Sequence, residues 1–272
     1  MSTGGQADNR FQSDAGKYAA YLQTPEGRLR LDLAFANVQE LLPAPALAGG
    51  DPLFALDLGC GTGATAVRLA QQGVQVTLLD CSQAMLEIAE HSALESGVSG
   101  RVTLMSADVT RLPDLFAARS FDLILCHNVL EYVDDPGAVL CNTARLLRNS
   151  SAILSLLVRS QAGEVLKAAI QTGDLAAAND ALISNWGQES LYGGKVRMFT
   201  LEKIRGLMQA VSLKVIAERG VRVIIDYLPP KVSREEEYAR IFDLERKLGS
   251  RSEFIAAARY IQVLACPVKD GA

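Results

Sequence analysis

A glycine-rich turn and three acidic residues carry the clearest chemistry in this sequence. The run Leu56-Asp57-Leu58-Gly59-Cys60-Gly61-Thr62-Gly63 places glycine at alternate positions, as a chain needs where it turns sharply beside a ligand that any side chain would block. A dinucleotide-binding turn reads GxGxxG; here the spacing is GxGxG. Asp57 directly precedes the turn, where its carboxylate either orients the loop or accepts a hydrogen bond from an amino group of the ligand. Asp80 follows Gly63 by 17 residues, and an acid at that place can accept both hydroxyls of an adenosine ribose. NAD and S-adenosylmethionine both carry that ribose. Asp108, in Ala107-Asp108-Val109, separates them: a carboxylate there accepts the exocyclic amine of adenine while a backbone N–H reaches the ring. The set favours S-adenosylmethionine. Against it stands a structural domain of the same shape that holds no cofactor.

His127, in Cys126-His127-Asn128-Val129-Leu130-Glu131-Tyr132-Val133, is one of two histidines. The carboxyl ends of strands line the ligand crevice of an open α/β sheet, so His127 either touches the cofactor or serves as a general base. His91 falls within a helix and reads as a surface or capping side chain. Trp186, the one tryptophan, lies near Tyr192 and Phe199, and these rings either stack on a planar acceptor or pack an inserted segment onto the domain. The five cysteines are widely spaced, with no CxxC pair, so no metal site or disulfide framework is expected and the thiols read as buried and reduced.

Alternating strands and helices must position these residues. Apolar periodicity predicts strands at 53–58, 74–79, 102–106, 121–126 and 152–157, and helices at 63–72, 82–96 and 136–147. That alternation gives a parallel sheet covered on both faces. Before it, residues 15–42 read as two helices with a turn at Pro25, and order is expected to begin near Phe11. After it, an alanine-rich helical stretch followed by Gly187 and Gly193-Gly194 interrupts the rhythm and reads as an insertion over the carboxyl edge of the sheet. The pattern resumes with a helix at 201–210, a strand at 212–218, a charged helix at 234–248 and a strand at 259–266. One domain is expected over 1–272: a helical cap (11–48), a cofactor-binding core (50–158), a lid (160–198) and the C-terminal part of the sheet (199–267).

Composition narrows the class. Hydrophobic residues make up 49% and charged residues 21%, which is ordinary for a folded globular chain. The longest apolar runs fall well short of the ~20 residues that span a bilayer, and residues 1–10 show no apolar signal core, so a soluble cytoplasmic protein without membrane partners is expected. A net charge of −4 gives no overall basic excess for general nucleic-acid binding, although a local patch is compatible with it.

GxGxG, Asp80 and Asp108, in this order on this alternation, resemble the class I S-adenosylmethionine-dependent methyltransferases over roughly residues 50–160. That resemblance implies a Rossmann-like, seven-stranded, mostly parallel sheet whose last strand, here 259–266, runs antiparallel. Further stretches are similar to the bacterial tRNA carboxymethoxyuridine methyltransferases: Phe11, Lys17, Gly27, Leu29 and Arg30; His127, Val129, Leu130 and Glu131; Gly220 to Val223; Asp226 to Leu228; Leu244-Glu245; and Arg259 to Ile261. On that resemblance Arg30 reaches the methionyl carboxylate of the cofactor, and Gly59, Cys60, Gly61, Asp80, Ala107, Asp108 and His127 line the rest. Arg222, Tyr227, Arg259 and Tyr260 become candidates for holding an acidic acceptor. Arg259 and Tyr260 have a plainer alternative, the start of an edge strand with side chains in solvent.

Where that family carries a lysine-rich run, the insertion here offers Lys195 and Arg197. Arg219, Arg222, Lys231 and Arg234 could rebuild a basic patch, offset by Glu235-Glu236-Glu237. Three functions follow: methylation of a carboxyl-bearing wobble uridine in tRNA, O-methylation of a small or peptidic acid, or a cofactor-binding regulator without turnover.

Overall fold

Strand β1 (Phe54–Leu58) is buried along nearly its whole length and pairs in parallel on both sides, with β2 (Gln75–Asp80) and β4 (Leu123–His127). It lies third in a seven-stranded sheet in the computed structural model, which describes residues 11–42, 52–189, 191 and 193–268. Outward from β2 comes β3 (Val102–Ser106). On the other side β4 is followed by β5 (Ile153–Arg159), then β9 (Tyr260–Pro267), then β8 (Leu213–Val221). β1 to β5 are mutually parallel, and β9 runs antiparallel to both of its neighbours.

Helices cover both faces because strand residues alternate between them. Leu78, Leu125 and Ile153 pack with Ala66 and Leu69 of α3 (Ala64–Gln71) and Ala89 and Ala93 of α4 (Gln83–Glu95). Leu56, Ile124 and Leu154 pack on the opposite face. Their partners are Leu112 of the short α5 (Leu112–Leu115), Leu140 of α6 (Pro136–Leu146), and Ile204 and Met208 of α9 (Leu201–Ala210). A third cluster docks the N-terminal helices. Leu29 and Leu33 of α2 (Pro25–Gln39) meet Leu157, Val221, Tyr260 and Ile241, the last from α10 (Tyr238–Gly249). Thr24 caps α2 by accepting from Gly27 N, with Pro25 in the first turn. The preceding α1 (Ala15–Gln23) crosses so closely that a Cβ on Gly27 would stand 2.1 Å from Tyr21 O.

The insertion contains α7 (Gln161–Leu166), a π-helical turn (Lys167–Thr172), α8 (Leu175–Ile183) and a two-stranded hairpin, β6 (Trp186–Gln188) with β7 (Lys195–Arg197). The hairpin has no counterpart in the sequence reading, which places only glycines after the helical stretch; its strands of three residues are too short to show a period. β8 runs on to Val221, past the expected end, because Gly220 and Val221 still pair with Ile261 and Tyr260. The charged helix starts at Tyr238 and not at 234, since the Arg234 side chain folds back to Leu228 O and to Glu26. The short α11 (Ser252–Ile255) precedes β9. Because β9 lies inside the sheet, Arg259 and Tyr260 are buried, which overturns the solvent-facing edge-strand alternative. Of the thiols, Cys126 is buried and Cys141 is exposed, contrary to the uniformly buried expectation. The start of order near Phe11 and the end of the cap at 43–48 fall on or beside residues outside the described ones. No described helix is long and apolar enough to cross a membrane.

Candidate active site

Past Leu58 the chain turns through Gly59, Gly61 and Gly63, all at positive φ (61°, 53° and 71°). A Cβ on Gly59 would stand 2.6 Å from Val129 Cγ2, and one on Gly63 2.8 Å from Ala89 Cβ. Conformation and space both exclude side chains there, which is the physical content of the alternate-glycine spacing. The turn is braced from the next strand: Gly61 N donates to Asp80 Oδ2 (2.8 Å) and Ser82 N to Asp80 Oδ1 (2.9 Å). Asp57 is buried beneath it, and burial together with the neighbouring Asp80 pushes its carboxyl up to about 8, so it is largely uncharged at neutral pH. A bare backbone cradle beside a ribose-compatible acid fits an adenosine ligand.

The turn opens onto a cleft of about 580 Å³ at the carboxyl ends of the parallel strands, a size suited to a small organic ligand. Four arginines line it. Arg222 forks onto Asp226 and donates to Tyr21 Oη (2.7 Å). Arg259 pairs with Glu164 (2.5 Å) and Arg159 with Glu189 (2.5 Å). Arg30 donates to neutral groups, Asn128 Oδ1 (3.0 Å) and Tyr18 Oη (2.8 Å). Tyr260 sits among them, with the Arg30, Arg222 and Arg259 guanidinium carbons 5.6, 5.7 and 6.0 Å from its ring centroid. Burial alone would raise its phenol, but the joint field of Arg30, Arg222, Arg159 and Arg259 brings it down to about 8.

A hydrogen-bonded chain crosses from the N-terminal helices to the insertion. Arg30 joins Tyr18 to Asn128; Asn128 Nδ2 donates to Glu131 Oε1 (2.9 Å), which also accepts from Arg159 N (2.8 Å). Arg159 reaches Glu189, as does the Tyr132 hydroxyl (3.0 Å). Two of the supporting residues adopt positive φ without being glycine, Asn128 (56°) and Arg222 (62°). The loop after Arg222 is held by fully buried Glu245, whose carboxylate accepts from Val223, Ile224 and Ile225 N at 2.6, 2.9 and 2.9 Å. His127 Nε2 lies 2.8 Å from Ser155 Oγ, and that hydroxyl accepts from Gln262 Nε2 (2.9 Å), leaving its proton for the ring. Burial and the nearby Arg30 charge push the imidazole down to about 3, so His127 is neutral and already engaged.

Of the residues singled out in the sequence, Arg30, Gly59, Gly61, Asp80, Ala107 and Asp108 line this cleft. His127, Arg222, Arg259 and Tyr260 line it too. Asp57 and Cys60 instead face a small cavity behind the turn, and the Tyr227 hydroxyl is buried with no hydrogen-bond partner among the described residues, outside the cleft lining. Asp108 Oδ1 is occupied by the Thr110 amide (2.7 Å) and hydroxyl (2.6 Å). Tyr18, Tyr21, Asn128, Arg159, Lys167 and Glu189 line the cleft without having been anticipated. Arg159 ends β5, so the rule about strand ends would have found it; Lys167 and Glu189 sit in the insertion, where no period announces a role.

Of the proposed basic patch, Arg219 pairs with Glu40, Arg222 is buried against Asp226 and Arg234 pairs with Glu26, while Lys231 is exposed. The aromatic trio also divides: Phe199 is fully buried in the core, whereas Trp186 is 47% exposed with the Arg197 guanidinium 4.7 Å over its ring. Tyr192 lies outside the described residues. His91 is exposed and pairs with Glu95.

Residues 56–155 match the family model described as a methyltransferase domain. The chain is similar to the tRNA 5-carboxymethoxyuridine methyltransferase of Escherichia coli, 28% identical over 265 residues that span 95% of this chain and 96% of the relative. It is also similar to the ubiquinone biosynthesis O-methyltransferase of Hahella chejuensis, 37% identical over 120 residues, 44% of this chain and 45% of that one. Among solved structures, magnesium protoporphyrin IX methyltransferase from Synechocystis, with bound S-adenosylhomocysteine, shares the fold at a TM-score of 0.62 and 16% identity, covering 96% of this chain and 98% of the other.

Proposed function

The chain is a class I methyltransferase whose methyl donor is S-adenosylmethionine, and from that premise we propose that it esterifies the carboxylate of a carboxymethoxy-substituted wobble uridine in tRNA. The observation that carries this reading is the gathering of Arg159, Lys167, Arg222 and Arg259 around Tyr260 in one cleft of a protein whose net charge is −4. Arg159, Arg222 and Arg259 each have a carboxylate partner, so the local positive charge that favours an anionic acceptor lies in the single carboxylate, Glu164, that Arg259 shares with Lys167. The full-length similarity to an enzyme named for carboxymethoxyuridine supports the same acceptor.

For the donor, Arg30 receives the methionyl carboxylate through its guanidinium fork. Gly59 and Gly61 admit the ligand to bare backbone, Asp80 accepts from the ribose hydroxyls, and Ala107 and Asp108 border the adenine. Asp57 and Cys60 support the turn from behind. When bound, S-adenosylmethionine supplies a sulfonium methyl, which passes to a carboxylate oxygen as the O–C bond forms and the S–C electron pair stays on sulfur. An ionised acceptor has no proton to give up, so the neutral, Ser155-bound His127 serves as a wall and not as a base. Arg222, Arg259 and Tyr260 fix the acceptor, and the lid excludes water. Tyr227, outside the cleft lining, has no part in holding the acceptor in this reading.

The neutralised patch favours a second reading, a small acidic acceptor bound without RNA contacts. Labelled-methyl transfer into bulk tRNA and small-molecule fractions from cells lacking this protein separates the two. The tRNA reading expects label in tRNA that mild alkali releases as methanol; label confined to small molecules sinks it, and alkali-stable label in either fraction sinks carboxylate esterification.

A further inference from the structure

The lid contributes one cation to the cleft that no sequence pattern marked. Lys167 opens the π-helical turn Lys167–Thr172, and it and Gln171 both line the cleft. Such widened turns recur at functional sites because they redirect side chains that an α-helix would spread around its axis. The carboxylate near the Lys167 ammonium belongs to Glu164, at 3.7 Å, beyond hydrogen-bond reach. That same carboxylate is already taken by Arg259 at 2.5 Å and is also 3.7 Å from Arg159. Arg159 has Glu189 as its own partner. Lys167 and Arg259 therefore share one carboxylate between two positive charges. Burial and repulsion from Arg259 lower the lysine pKa, the direction that an arriving anion reverses.

We propose that Lys167, together with Arg259, is the anion-binding residue by which the lid recognises the acceptor. Resting on the carboxylate reading above, the pair holds one oxygen of the acceptor carboxylate while the other attacks. Methylation removes the acceptor's charge and with it the attraction to both cations, so the pair binds the acid and releases the ester.

The test compares the unaltered enzyme with Lys167→Gln and Lys167→Arg, using bulk tRNA from cells lacking this protein as acceptor. The expected result for Lys167→Gln is a KM for tRNA raised about tenfold or more, S-adenosylhomocysteine affinity unchanged, and partial recovery in Lys167→Arg. Product inhibition by fully methylated tRNA is expected to change little, since the ester no longer engages the lysine. An unchanged KM in Lys167→Gln, with alkali-labile methylation intact, overturns the lysine role and leaves the carboxylate reading standing. No alkali-labile methylation by the unaltered enzyme overturns both. Loss of S-adenosylhomocysteine binding in both variants overturns the assignment as well, because the lysine would then support the fold or the donor site.

Discussion

Arg30 differs from the other cleft arginines in that its hydrogen bonds go to Asn128 and Tyr18 and not to a carboxylate. A buried guanidinium with neutral partners has capacity for a ligand anion, and charge-assisted hydrogen bonds contribute about 1.5–3 kcal/mol. Arg30→Ala is expected to weaken S-adenosylhomocysteine binding by that amount in calorimetry; equal affinity removes the methionyl-carboxylate role. His127 gives a pH-dependent prediction. Its ring titrates near 6.5 in an unfolded chain and about 3 in the folded one. Between those values the unfolded state binds the extra proton, so stability falls as pH drops from about 6.5 toward 3, by up to about 1.36 kcal/mol per pH unit. His127→Asn should flatten urea-midpoint curves between about pH 6.5 and 4, and an identical slope in the variant rules the histidine out. Glycine spacing and Asp80 were legible in the sequence because a backbone constraint and a strand end prescribe residue type. Glu189 and Lys167 were not, because their roles arise from distant partners.

Glu245 shows how one element sets another's geometry. It projects from α10 into the loop that keeps Arg222 at positive φ, where it satisfies three backbone N–H groups in a buried site. Glu245→Ala strands these donors. The expected loss is about 3 kcal/mol or more, read as a lowered urea midpoint, with a raised KM for the acceptor because Arg222 loses its support. A midpoint within error of the unaltered enzyme contradicts this. Long elements such as α4 and α9 could be read from periodicity, whereas the hairpin of β6 and β7 could not, since its three-residue strands gain definition from Arg197 N donating to Glu131 O and Glu189 N to Gly194 O.

Across the whole molecule, the scattered ion pairs decide how RNA would be held. With Arg219, Arg222 and Arg234 tied to acids, the patch around residues 219–234 keeps only Lys231 as an exposed cation without an ion-pair partner among the described residues. The dependence of tRNA affinity on salt is therefore expected to be shallow, equivalent to roughly two or three released counterions; a slope of six or more would point to a basic surface elsewhere. The parallel run of β1 to β5 followed from the alternation. The seven strands and the antiparallel last one rested on family resemblance, and the place of β9 between β5 and β8 was not legible, because an antiparallel insertion leaves no local trace. That insertion has a consequence in time. Among the described residues β8 pairs with no strand but β9, and β5 has a bare edge until β9 arrives. As the chain emerges during synthesis, the half with the glycine turn can close early on local contacts, while the half with Arg222, Arg259 and Tyr260 waits for the last strand. A nascent chain of this protein would thus acquire its glycine turn and Asp80 first, with Arg30 waiting alongside the acceptor residues because its helix docks on Val221, Ile241 and Tyr260, and stalling shortly before residue 260 would leave sticky sheet edges facing the cell.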